Sequence, residues 1–152
     1  MAGPYKSQNV RIAHWLARVA VGLVFLFNVD CALAFIIRPA SYSPGFEVSG
    51  VPGEAMVRGI GILFLMWNAT YPPVLVKPDR YQVLFGVILV QQAIGFVGES
   101  WMWLTLPEGH EALQTTAQRF IIFDGFGLLA MGLSFWILRR ATRHRADRLD
   151  SG

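Results

Sequence analysis

The sequence predicts an all-α fold, an integral membrane four-helix bundle with N- and C-termini cytoplasmic. Three observations predict it. Hydrophobic residues make 54% of the chain and charged residues only 15%, against roughly 25% charged in an ordinary soluble domain. The apolar residues gather into four long runs. The charges between those runs change sign from one connection to the next. At 152 residues the chain is long enough for a single transmembrane domain, residues 1–152, and little else.

The first run, Val19 to Ile37, carries Asn28 and Asp30. The amphipathic stretch from Asn9 to Arg18 extends it into the interface. The run is too long for a signal-peptide core, and no small-residue cleavage site follows, so it reads as a retained helix. The second run, from about Gly59 to Val76, is broken at Pro72-Pro73. A proline pair removes donors and clashes with the preceding turn, so the regular helix is expected to end near Thr70. The third run is Tyr81 to Leu104, and the fourth spans about Phe120 to Leu138. Each approaches the ~20 residues that cross ~30 Å of hydrocarbon. Open backbone groups are not tolerated in lipid, so the runs are helices rather than strands. The expected helices cover about 10–38, 54–71, 80–104 and 113–141, with a basic cytoplasmic tail over 142–152.

The connections set the orientation. Arg38 to Gly53 holds Pro39, Pro44, Pro52, Gly45, Gly50 and Gly53 and reads as the longest loop. Lys77-Pro78-Asp79-Arg80 reads as a tight basic turn, and Thr105 to Glu111 as a short acidic one. Lys6, Arg11 and Arg18 precede the first helix, Lys77 and Arg80 fill the second connection, and Arg139, Arg140, Arg143, Arg145 and Arg148 close the chain. Glu47, Glu54, Glu108 and Glu111 mark the other two connections, with Arg38 as the exception. Positive charge faces the cytoplasm, so both termini lie inside and two connections outside. Trp15 near the inner interface, and Trp101 and Trp103 near the outer one, agree. The expected location is a bacterial inner (plasma) membrane. The lipid bilayer is the first partner, and the basic tail suits anionic lipid. No nucleic-acid motif accompanies that tail, so no nucleic-acid partner is expected.

Several chemistries are excluded. Cys31 is the single cysteine. It can make neither an intrachain disulfide nor a Cys-X-X-Cys pair, and reads as a small buried apolar residue. His14, His110 and His144 share no helix face at a common depth, so neither a metal nor a bis-histidine haem is expected. No P-loop, nucleophile elbow or dinucleotide fingerprint is present. Asn68-Ala69-Thr70 matches a glycosylation acceptor but falls within the second helix and is discounted. Gly59, Gly61, Gly95, Gly98, Gly125 and Gly127 read as residues that let helices approach closely.

Candidate functional residues are the polar groups inside the runs. A charge at the centre of a membrane helix costs ~2.5–3.5 kcal/mol on insertion scales. Asp30, Arg58, Glu99, Arg119 and Asp124 fall in the outer half, with Asn28, Gln91 and Gln92 close to the midplane. Three acids and two bases can pair, leaving one carboxylate. Arg119 and Asp124 are five apart and do not share a helix face. Two readings stay open. In one, the polar groups glue helices together at ~0.6 kcal/mol per hydrogen bond, with Arg58 and Arg119 snorkelling. In the other, they line a polar cavity open to the outer side. There a ligand carboxylate or phosphate would seek Arg58 or Arg119, and a cationic ligand Asp30, Glu99 or Asp124.

Arg18-Val-Ala-Val-Gly-Leu-Val-Phe-Leu-Phe opens the first helix, and a proline-rich connection follows. Gly50-Val-Pro-Gly-Glu-Ala-Met-Val-Arg-Gly-Ile-Gly then leads into the second. In these segments the chain resembles the DoxX-like group of small four-helix bacterial membrane proteins. The resemblance implies that topology over most of the chain, and Arg58 with the glycines around it matches in position. It also implies a quinone-linked oxidoreductase, since the family name comes from such a subunit. Quinone is thus the one cofactor in view, and no cofactor ligand set is evident in the residues themselves.

The expected function is non-enzymatic: a small membrane protein that binds a small amphipathic or lipid-like ligand in an outer-leaflet polar cavity, or supports a larger membrane complex. The alternative is a quinone-linked oxidoreductase membrane subunit. A proton-coupled transporter comes last, because four helices would need a homo-oligomer and the sequence holds no inverted repeat.

Overall fold

The computed structural model describes residues 4–149, and every regular element among them is helical. The side chains of Lys6, His144, Arg145 and Arg148 lie outside the described residues. Helix α1 runs Pro4–Ile37, α2 Pro39–Tyr42, a 3-10 turn Ser43–Phe46, α3 Gly50–Asn68, α4 Tyr71–Val76, α5 Gln82–Thr105 and α6 Glu111–Leu149. Among the described residues three helices are long and apolar enough to cross a membrane: Val10–Ile37 of α1, Gln82–Thr105 of α5 and Glu111–Arg143 of α6. A fourth is reached only if α3 is taken with Pro39–Phe46 before it, and those two are bent by 97°.

The helices differ from the expected ones at the prolines. The stretch from Arg38 to Gly53 is not a loop: α2 and the 3-10 turn fill most of it, and α3 starts at Gly50. Pro39 and Pro44 sit in the first turn of their segments, where the missing N–H has no partner to lose and the fixed φ suits a helix. Pro72-Pro73 does the same. The regular α3 ends at Asn68, and the pair then starts α4 rather than only stopping a helix.

Apolar side chains cover the outside. Phe126 is 72% exposed and Leu129 71%, which suits contact with lipid and not with water. The buried core lies at one end of the molecule. Ala13, Ala17, Val21 and Val24 of α1 meet Tyr71 and Val74 of α4, Phe85 and Ile88 of α5, and Met131 and Leu138 of α6. This is the end bearing the Lys77–Arg80 turn, and Arg18 donates from Nη2 to the Val76 carbonyl there at 2.6 Å.

The opposite end is built differently. Helix α1 packs on both α3 and α6, and α6 packs on α5, but α3 and α5 do not pack closely on each other. Helix α4 lies between α1 and α5 and closes that gap at the core end alone. At the far end an aromatic cluster takes over. Phe35, only 4% exposed, meets Phe46, Phe64 and Phe120 at ring separations of 5.6, 6.1 and 6.3 Å. The Pro39–Phe46 segment thus lies over the bundle and is fastened to the start of α6.

Candidate functional site

Between the buried core and the aromatic cluster lies a cavity of about 460 Å³. Its walls come from five helices: Phe27, Asn28, Asp30 and Cys31 of α1; Phe64, Trp67 and Asn68 of α3; Tyr71 of α4; Gln91, Gln92, Gly95 and Glu99 of α5; Arg119, Phe123 and Asp124 of α6. Seven of the eight residues singled out in the sequence therefore come together. Arg58 does not. It is exposed on α3, away from the cavity, and its Nε donates to the Ile36 carbonyl at 3.2 Å.

The expected charge pairing is absent: no ion pair joins Asp30, Glu99 or Asp124 to Arg58 or Arg119 among the described residues. The partners are neutral instead. The Gln92 Nε2 amide donates to Asp124 Oδ1 at 2.7 Å. The Tyr71 hydroxyl donates to Gln92 Oε1 at 3.4 Å. One chain of hydrogen bonds so links α4, α5 and α6 at the edge of the core. Above it, Thr70 Oγ1 donates to Gln91 Oε1 at 3.4 Å. The carboxylate of Asp124 fits because residue 95 is glycine: a Cβ there would run into Asp124 Oδ2. At Gly127 a Cβ would stand 3.0 Å from Gln92 Nε2. Gly61 and Gly125 are packed as expected, but Gly59 and Gly98 face open space.

Among the described residues, two buried side-chain oxygens have no partner. Asn68 donates from Nδ2 to the Phe64 carbonyl at 2.7 Å, which leaves Oδ1 buried and unbonded. Glu99 Oε2 is likewise buried and unbonded. A buried polar atom without a hydrogen bond costs ~1–3 kcal/mol, so such atoms mark where a partner belongs.

Sequence reading missed Asn68 and Tyr71. Asn68 did stand out, as part of a glycosylation pattern, and an asparagine within an apolar run is itself a signal. Tyr71 was hidden beside the proline pair. Cys31 is half-buried at the cavity wall rather than in the core. No cluster of three or more His, Cys, Asp or Glu side chains among the described residues could hold a metal ion.

A second polar cluster lies outside the apolar runs. Glu47, at a left-handed φ of 55°, accepts from His110 Nδ1 at 2.5 Å and from the Leu113 backbone N–H at 3.2 Å. Thr116 Oγ1 donates to the Gly45 carbonyl at 2.7 Å. The bond from His110, then that from Leu113, holds the Glu47 carboxyl below its ordinary value. These contacts fasten the 3-10 turn to α6. At the other end His14 Nδ1 lies 3.8 Å from Asp79 Oδ1.

The chain matches no protein-family model, no curated protein and no solved structure.

Proposed function

We propose that the chain is a four-helix membrane protein that holds a small amphipathic, lipid-like molecule in this cavity. The observation that carries the reading is the cavity's make-up. Phe27, Phe64, Trp67 and Phe123 supply aromatic wall, and polar groups converge on the same space. Its volume falls in the ~300–1,000 Å³ range of small-molecule sites, and that mixture of lining is their usual one. Polar groups that served only as helix glue would be paired with each other. Here Gln92 and Asp124 are paired, while Asp30, Glu99 and Arg119 border open space.

The fourth span in this reading is α3 taken with the bent Pro39–Phe46 segment before it. The 19 residues of α3 rise ~28 Å at ~1.5 Å each, close to the thickness of the hydrocarbon. Both termini lie in the cytoplasm, since Arg18, Lys77, Arg80 and Arg139 gather at the core end and Glu47, Glu108 and Glu111 at the other. The cavity then belongs to the outer leaflet of a bacterial inner membrane. A quinone, which the resemblance to the DoxX-like group implies, is one member of the ligand class. Its ring would stack on Phe64 or Trp67, and the amides of Asn28 and Gln91 are donors of the kind its carbonyls need.

Support of a larger membrane complex is the second reading. The exposed apolar surface of α6, with Phe126 at 72% and Leu129 at 71%, favours it, because such a face can pack on another membrane chain. Native mass spectrometry of the protein released from nanodiscs separates the two. A discrete small-molecule adduct on the wild type, lost in Gly98→Trp, supports the cavity. A bare or purely multimeric mass in both supports the complex.

A further inference from the structure

We propose that the core end of the molecule holds an anionic phospholipid, with its phosphodiester on Arg11 and Arg18 and an acyl chain laid along α1. The inference rests on the membrane reading above and not on the cavity. Arg11, His14, Trp15 and Arg18 recur at the three- and four-residue spacing that sets side chains on one helix face. Two grooves meet on that face. The first, of about 500 Å³, is polar, with Arg11, His14, Asp79 and Gln82 in its walls. The second, of about 380 Å³, is apolar, with Val19, Leu75 and Val76. Trp15 and Arg18 line both. From Arg11 to Val19 the helix rises ~12 Å at ~1.5 Å per residue. That rise carries one surface through the ~5–7 Å headgroup layer of a leaflet and into its hydrocarbon.

Charge selects the headgroup. The polar groove sets two guanidiniums against one carboxylate, Asp79, which already has His14 Nδ1 at 3.8 Å. No ion pair joins Arg11 or Arg18 to a carboxylate among the described residues. Lys77 and Arg80 flank Asp79 in sequence, Arg139 and Arg143 flank Thr142 on the α6 wall, and neither stretch holds another acid. The second observation is independent of net charge. Arg18 donates from Nη2 to the Val76 carbonyl at 2.6 Å, which fixes its guanidinium where the grooves join. Its Nε is enclosed by the protein and takes no part, while Nη1 is neither bonded nor enclosed. A phosphate at the join can accept from Arg18 and Arg11 in the forked geometry that suits guanidinium. A free phosphate would fill the polar groove alone. A lipid fills both, because Val19 and Val76 are exposed where its chain would lie. A phosphatidylcholine is disfavoured, since its own ammonium meets two arginines.

The test is native mass spectrometry of the full chain in a neutral detergent, titrated with three probes: dioleoylphosphatidylglycerol, dioleoylphosphatidylcholine and the acyl-free headgroup glycerophosphoglycerol. Saturable phosphatidylglycerol binding is expected, about tenfold tighter than phosphatidylcholine, the worth of one charge-assisted hydrogen bond. Arg11→Gln should weaken it about fivefold, the worth of one basic side chain at an anionic headgroup. Arg18→Gln should weaken it about tenfold or more, and Arg11→Gln decides alone if loss of the Val76 bond unfolds that variant. Arg140→Gln, at the same end but over the Trp136 ring, should change nothing. Gly98→Trp, at the cavity wall, should change nothing either. The free headgroup should bind about tenfold more weakly than the whole lipid, or less tightly still.

Phosphatidylcholine binding as tightly as phosphatidylglycerol overturns the headgroup. A free headgroup as tight as the whole lipid overturns the apolar groove and with it the lipid. Arg140→Gln weakening the lipid as much as Arg11→Gln overturns the site in favour of a diffuse field over the basic end. Lipid lost in Gly98→Trp but unmoved by the arginine variants overturns this inference and supports the cavity reading instead. Absence of saturable phosphatidylglycerol binding overturns the inference outright and leaves the cavity reading to its own adduct experiment.

Discussion

Gln92 of α5 donates to the carboxylate of Asp124 of α6 at 2.7 Å, and the same Gln92 accepts from the Tyr71 hydroxyl of α4. One amide therefore uses both of its ends to tie three helices where the buried core gives way to the cavity. The bond is expected to need an acceptor at position 124 rather than a charge. Asp124→Asn should melt close to the wild type. Asp124→Ala should lose about 1 kcal/mol, within the range measured for hydrogen bonds between membrane helices. Thermal unfolding in mild detergent checks this, and equal losses in the two variants would show that charge matters.

The absence of a side chain at position 95 makes room for that carboxylate. Gly95→Ala should cost about 1–3 kcal/mol, because the new methyl group meets Asp124 in a packed place. Gly86→Ala in the same helix meets nothing and should stabilise by up to about 1 kcal/mol through helix propensity. Opposite shifts in melting temperature are the expected result, and a shared direction would mean that the close approach at Gly95 is not decisive.

Acid should loosen the far end of the bundle first. The folded-state value of the Glu47 carboxyl lies below its ordinary 4.5. Its contribution is therefore fully present above that ordinary value and lost as pH falls through the lower folded one. Hydrogen exchange at the Leu113 amide should speed up as pH falls below about 4.5, beyond the intrinsic change with pH. Glu47→Gln should show faster exchange at neutral pH and no such acid step. An acid step that persists in Glu47→Gln would place the titrating group elsewhere.

Topology can be read with single thiols, since Cys31 is the chain's only cysteine. In a Cys31→Ser background, Glu108→Cys should react with a charged, membrane-impermeant maleimide added to whole cells. Lys77→Cys should react only after the membrane is opened. The reverse pattern would invert the orientation and move the cavity to the inner leaflet.

The apolar runs carried the all-helical architecture and the three helices long enough to cross a membrane, because a long apolar run satisfies its backbone groups within itself as a helix. The prolines misled in a consistent way. Composition cannot distinguish Pro39, Pro44 and Pro72 as helix breakers from prolines in a first turn, and the structure uses them in the second role. Asp30, Glu99 and Asp124 were legible as charges within apolar sequence, but their partners were not. Partner choice depends on how each helix is rotated, and a run that is apolar all round leaves that rotation unmarked. Arg58 shows the same limit: its register in α3 turns it to the Ile36 carbonyl and away from the cavity. Glu47 and His110 lie 63 residues apart in sequence, so only folding reveals them as neighbours.

The unfilled gap between α3 and α5, with Trp67 47% and Ile94 63% exposed at its edges, bears on how any occupant is supplied. If the chain sits in a bilayer as proposed, that gap would face hydrocarbon, and a molecule arriving there would first dissolve in the membrane. Its working concentration is then its mole fraction among the lipids, not its molarity in the surrounding water. A dissociation constant expressed per litre of buffer will drift as lipid is added, whereas one expressed per lipid will hold. Selection would then begin before any contact with the cavity wall, since compounds that partition poorly are filtered out by the solvent itself.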